Sequence, residues 1–258
     1  MKLRGKERRD FMRMARIKIN GRGAVYHCIS RIVGGAALLG DLEKEKLRLL
    51  LWQQAAFSGL KELKQRFSKW YNRQHHRFGT LWAERFKSLL VEDQPSALQT
   101  VAAYVDLNSV RAGLVPDPKD YRWSGYGEAV AGHELARRGL ASFHAGADWA
   151  TVGVSYRQVL LVKAGRAGSS SKVALDPESI RRELAQGGEL ALGEVLRLRV
   201  RYFSDGVVLG SRSYVNEVFQ EFRARFGARR QTGARPLRGL AALAHLATLR
   251  DLRVEAVR

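Results

Sequence analysis

Tyr104, Asn108 and Arg111 stand at i, i+4 and i+7 in the segment Ala102-Ala-Tyr-Val-Asp-Leu-Asn-Ser-Val-Arg-Ala-Gly-Leu-Val115. On a helix this spacing lines three side chains along one stripe. A phenol hydroxyl, an amide oxygen and a guanidinium projecting together suit attack on a phosphodiester, as nucleophile, metal ligand and phosphate clamp. A tyrosine on a helix flank also serves simply as packing, here beside an apolar face of Leu98, Val101 and Val105. The spacing alone leaves both roles open. The other reactive side chains form no site of their own. His27, His75, His76, His133, His144 and His245 include no His-x-His or His-x-x-x-His pair. His27 lies between apolar residues and reads as a packed strand histidine, while His75 and His76 sit in a basic loop facing solvent or phosphate. Cys28 is the only cysteine, which excludes an internal disulfide and a Cys-rich zinc site. Neither a phosphate-binding glycine loop nor a Gly-x-Ser-x-Gly elbow is present.

The tyrosine segment needs a scaffold, and the pattern predicts one. Ala24 to Arg31 reads as a strand with Val25, His27 and Ile29 on one face and Tyr26, Cys28 and Ser30 on the other. Asp41 opens a helix with apolar positions at Leu42, Leu49, Leu50 and Trp52. A second helical pattern runs through Leu60, Leu63, Phe67, Trp70 and Tyr71, with only Ser58-Gly59 between the two. Residues 41–72 are therefore expected to be nearly continuous helix, bent or broken there, with no strand between Gln53 and Glu62. Asn72 to Gly79 reads as a loop and Arg85 to Glu92 as a second strand. The tyrosine helix begins near Pro95-Ser96 and stops at Gly113, a plausible C′ glycine. Ala164 to Lys172 reads as a linker. Beyond it, helices are expected over 178–185, 190–203 and 213–226.

Charge narrows the class of partner. The 258 residues hold 45 Lys and Arg against 25 Asp and Glu, a net charge of +20 and a pI near 10.7. Such a surface favours a polyanion. With 45% hydrophobic residues the chain is no disordered basic tail. No apolar run approaches the ~18 residues of a membrane span, and Met1 to Arg16 lacks the apolar stretch of a secretory signal. A cytoplasmic, nucleoid-associated protein is expected. Arg66, Lys69 and Arg73 share one helix face at i, i+3 and i+7, and Arg77, Arg85 and Lys87 follow. Trp70 and Tyr71 are interleaved with them, as stacking of unpaired bases beside a phosphate track would use. Arg197, Arg199, Arg201, Arg223, Arg225, Arg229 and Arg230 could add a second contact.

Four segments resemble the REP-associated tyrosine transposases, single-tyrosine HUH transposases of bacterial insertion sequences. They are Val25-Tyr-His-Cys-Ile-Ser-Arg31, Lys64-Gln-Arg-Phe-Ser68 with Trp70-Tyr-Asn-Arg73, Gly79-Thr-Leu-Trp-Ala-Glu-Arg-Phe-Lys-Ser88, and Tyr104 to Val115. The resemblance spans about residues 15–130, and Ser109 stands where the family usually has proline. It implies an α+β fold with an antiparallel sheet and flanking helices, and a single-stranded or hairpin-forming DNA substrate. It also implies a monomer or homodimer, a covalent 5′-phosphotyrosine and a divalent cation, Mg²⁺ or Mn²⁺. By position Tyr104 matches the family nucleophile and Asn108 a residue that completes its metal site. Arg111 carries no family role.

The family's His-hydrophobe-His pair, borne on a central strand between the two early helices, has no counterpart here. The expected architecture is thus a reduced antiparallel sheet in a DNA-binding domain at 15–130, a linker region at 131–175 and a basic helical region at 176–258. Three readings follow: an active nickase, a DNA-binding descendant with impaired chemistry, or an internally deleted product that folds poorly.

Overall fold

The computed structural model describes residues 16–33, 38–53, 59–144, 148–161, 203–204, 206–237 and 243–250. The linker expected at 164–172, the helix expected at 178–185, most of that expected at 190–203, and Arg197, Arg199 and Arg201 lie outside these residues. The fold is α+β. Strand β1 (Val25–Ile29) pairs antiparallel with β2 (Lys87–Val91), His27 lying opposite Leu89. Beyond β1 the ribbon continues through an antiparallel bridge between Ile32 and Trp82.

The sheet is mixed rather than antiparallel. Its order is β1-β2-β3-β5-β4, with β3 at Val208–Gly210, β4 at Arg235–Pro236 and β5 at Ala247–Leu249. β3 runs parallel to β2, with the Leu90 amide donating to Val207 and that of Glu92 to Leu209. The region expected to be a separate helical unit therefore supplies three strands of the shared sheet. The β-branched pair Val207-Val208, followed by Leu209, carries enough strand preference to extend it. Helix Ser213 to Phe226 is present in shortened form, at Arg212–Glu221, followed by a 3₁₀ turn at Arg223–Arg225.

Strand alternation sends side chains to two cores. Leu89, Val91 and Leu209 pack under α3 (Pro95–Asp106), α5 (Gly125–Val130), α6 (Glu134–Ala141) and α7 (Trp149–Leu161). Leu90 and Val208 face the other way, against Val215, Val218 and Phe219 of α8 (Arg212–Glu221). The 131–175 region is thus no mere linker: Leu140, Val152, Tyr156 and Leu160 are buried in the first core.

The two early helices are α1 (Asp41–Gln53) and α2 (Leu60–Gln74). Residues 54–58 lie outside the described residues. The helices do not form one bent rod: they fold back on each other. The Tyr71 hydroxyl donates to the Leu38 carbonyl at 3.1 Å, and His75 Nε2 meets Glu43 Oε1 at 2.9 Å, so the end of α2 lies beside the start of α1. Leu50, Leu63, Phe67, Tyr71 and Leu81 fill a third cluster, and reversal buries these apolar stripes against each other. Leu42 and Leu49, expected in the apolar face of α1, are exposed. The buried Lys64 ties α2 to the ribbon, donating to Ser30 Oγ (2.6 Å) and the Glu84 carbonyl (3.2 Å). Among the described residues no helix is long and apolar enough to cross a membrane.

Candidate functional site

Tyr104 lies on α3, and the helix turns its ring inward. Ala97, Thr100, Val101, Ala103, Tyr104 and Asp106 are the buried positions of α3, whereas Val105 is 38% exposed. The apolar face is rotated by about one residue from the expected Leu98-Val101-Val105 stripe. Small residues at 97, 100 and 103 let the helix approach the sheet, and the large Tyr104 ring fills the space above it.

Tyr104 is 4% exposed. Its ring stacks on Phe203 at 4.6 Å between centroids and meets the edge of His27 at 5.8 Å. The Arg111 guanidinium lies over the same ring, 4.5 Å from its centroid. Arg111 comes from α4 (Asn108–Arg111), a short helix that continues α3 after Leu107 and ends before Gly113, whose φ of +69° is the left-handed C′ conformation expected there. Burial lowers the Arg111 pKa and its contact with Tyr104 opposes that shift. His27 comes from the β1 face shared with Val25. Among the described residues its Nε2 is buried without a hydrogen-bond partner, and burial pushes its pKa down to about 4. The structure thus brings Tyr104, Arg111 and His27 together and adds Phe203, which sequence reasoning had placed only at the end of a C-terminal helix. Asn108 is exposed while Tyr104 is buried, so the expected stripe is divided between surface and core.

Asp106, two residues on, anchors this helix. Its carboxylate accepts the Tyr126 amide (3.1 Å) at the start of α5 and the Tyr156 hydroxyl (2.8 Å) of α7. Burial raises its pKa and these hydrogen bonds oppose the rise. Asp106→Ala leaves a buried amide and a buried phenol unpaired, and should cost about 2–4 kcal/mol in urea unfolding.

The expected basic track keeps most of its cations in water. Arg66, Lys69, Arg73 and Arg85 are exposed, and Arg77 and Lys87 are half-buried. Arg77 leans over the Tyr71 ring at 5.7 Å. Tyr71 itself is 3% exposed and belongs to the helical hairpin core, so it offers no face to a base. Trp70 is half-buried against Phe67 at 5.7 Å, with Lys46 Nζ 5.9 Å from its ring.

Sequence reasoning missed Arg16. Its guanidinium stacks 3.5 Å from the Phe86 ring centroid and donates to the Phe86 carbonyl. Burial lowers its pKa, and the positive charge of Arg85 lowers it further. Arg16 thus lies in the field of Arg85. Chain separation hid this pairing: nothing in the sequence brings residue 16 to residue 85.

The C-terminal arginines have other work. Arg223 donates to the carbonyls of Phe226, Gly227 and Ala228, and Arg225 to that of Arg16. Arg230 donates to Thr232, Gly233 and Arg250 carbonyls. Among those described, Arg229 remains exposed.

No group of three or more His, Cys, Asp or Glu side chains among the described residues could hold a metal ion. The exposed Asn108 amide is the donor that the resemblance assigns, and a hard cation requires several oxygens with carboxylates or phosphates among them. The residues described do not fit a resident Mg²⁺ or Mn²⁺. Comparisons with protein families, with curated proteins and with solved structures find no match to this chain.

Proposed function

We propose that this chain is a DNA-binding protein of the single-tyrosine HUH transposase type, with its ancestral nicking and joining chemistry impaired. The observation that carries this reading is a contrast of burial. Arg66, Lys69, Arg73 and Arg85 are exposed, whereas Tyr104 is 4% exposed and held by Phe203, His27 and Arg111. Phosphates can reach the first group directly. A phosphodiester, by contrast, meets a Tyr104 that its neighbours cover almost entirely. The net charge of +20 supplies the long-range attraction.

One observation favours the alternative, an active metal-dependent nickase. Arg111 lies over the tyrosine ring, 4.5 Å from its centroid, close enough for a guanidinium to clamp a phosphate brought to that tyrosine. A labelled single-stranded hairpin DNA incubated with the protein in Mg²⁺ or Mn²⁺ and run on a denaturing gel separates the two. Neither wild type nor Tyr104→Phe should form a covalent adduct, and both should bind the hairpin equally. A metal-dependent adduct made by wild type and lost in Tyr104→Phe would establish the nickase instead.

A further inference from the structure

The loop that follows α2 spends its backbone on holding one aromatic ring in water. Phe78 is 96% exposed, well beyond the next large apolar side chain described, Val154 at 62%. A solitary exposed apolar residue is ordinary; a fixed backbone beneath it is not. The Arg77 amide donates to the Asn72 carbonyl at 2.9 Å and the His75 amide to the Tyr71 carbonyl at 3.0 Å. From the other side Asn72 Nδ2 donates to the Gly79 carbonyl at 2.9 Å. His76 (φ +49°) and Gly79 (φ +90°) both adopt left-handed backbone, which is uncommon for a histidine and turns the chain sharply on either side of Phe78. Asn72 thus holds both ends of the loop, and Phe78 projects from between them.

The chain on either side of the loop is strongly basic, although Glu43 of α1 pairs with His75 beside it. No Asp or Glu occurs between Glu62 and Glu84, while Arg66, Lys69 and Arg73 climb one face of α2 toward this loop. From Arg66 to Arg73 the helix rises about 10 Å. A flat, ring-sized apolar surface at the end of a cationic track matches an unpaired nucleobase beside its phosphates, because every base has a π-face and duplex bases do not expose theirs. An apolar protein partner would be served equally well by a ring without the cations; an acidic one would not need the ring.

We propose that Phe78 is a stacking platform for an unpaired base, so that the nucleic acid bound along α2 is single-stranded DNA at its Phe78 end. This rests on the DNA-binding reading above. It also moves base stacking from Tyr71, which is core, to a residue with no resemblance attached to it. The ring adds affinity without charge, so it discriminates single strand from duplex and leaves the salt dependence untouched.

The test is fluorescence anisotropy with a short oligothymidylate and a blunt duplex of equal length, for wild type, Phe78→Ala and Phe78→Trp, with circular dichroism to establish that each variant folds. Phe78→Ala should weaken oligothymidylate binding about tenfold or more, leave duplex binding unchanged and keep the same salt slope. Phe78→Trp should retain affinity, and its added indole fluorescence should be quenched as the oligonucleotide binds. If wild type binds oligothymidylate and Phe78→Ala binds it equally well, the platform is wrong and DNA binding stands. Equal losses on duplex and single strand also overturn the platform. If wild type binds neither DNA at low salt, the DNA-binding reading fails and the platform with it.

Discussion

Raising the salt from about 50 to about 200 mM should cost this protein about a hundredfold in affinity for single-stranded DNA. Neutralising about five phosphates releases their counterions, and for single strands that gives a log–log slope of about −3.5. Exposed Arg66, Lys69, Arg73 and Arg85 supply most of those charges, and Arg16 lies in the field of Arg85. Arg66→Ala and Lys69→Ala should each weaken binding across sequences and flatten the slope by about 0.7. Titrations at four or five salt concentrations measure both quantities. A slope near zero would mean that the basic surface serves solvation alone.

Acid should loosen the fold through His27, independently of the carboxylates. Its pKa is about 4 in the folded chain against about 6.5 unfolded. The unfolded chain therefore takes up a proton first as pH falls through 6.5, while folded His27 stays neutral until about pH 4. The stability associated with neutral His27 is complete above pH 6.5, drains away between 6.5 and 4, and changes no further below that. The full loss is on the order of 3 kcal/mol. His27→Phe keeps a ring against Tyr104 and removes the proton site. Urea unfolding of both proteins at pH 7 and pH 4.5 should show wild type losing about 2–3 kcal/mol more than the variant. Equal losses would place His27 in a wetter environment than its packing against Tyr104 implies.

The sequence carried the regular elements well where local chemistry was strong. Alternation in Val25–Ile29 put Val25 and His27 on one face and Tyr26 on the other, and the packing of Val25 and Tyr26 in different cores follows it. Pro95 at the first turn of α3 and Gly113 beyond α4 marked the bounds of the tyrosine segment. Strands β3, β4 and β5 were not legible, because runs of three residues or fewer are too short to display a period of two. Nor was the inward turn of Tyr104. An apolar moment built from Leu98, Val101 and Val105 omits the small residues Ala97 and Ala103, which decide how closely α3 approaches the sheet. At the surface, charge pattern pointed to α2, but only the tertiary structure distinguishes Tyr71 in the core from Phe78 in water.

The parallel pairing of β2 with β3 has a consequence for how the chain comes into being. Glu92 at the end of β2 accepts hydrogen bonds from Ser211, 119 residues later. During synthesis, at about 5–20 residues per second, β2 leaves the ribosome roughly ten seconds before the strand that covers it. In that interval Leu90 and Glu92 present their amides along a bare edge, beside the apolar Leu89 and Val91. Edges of that kind recruit other strands. The basic residues Arg85 and Lys87, just before Leu89, give nascent copies a like-charge repulsion at that edge. Cations proposed to meet phosphate in the finished protein would then serve, earlier in its life, to keep neighbouring chains apart.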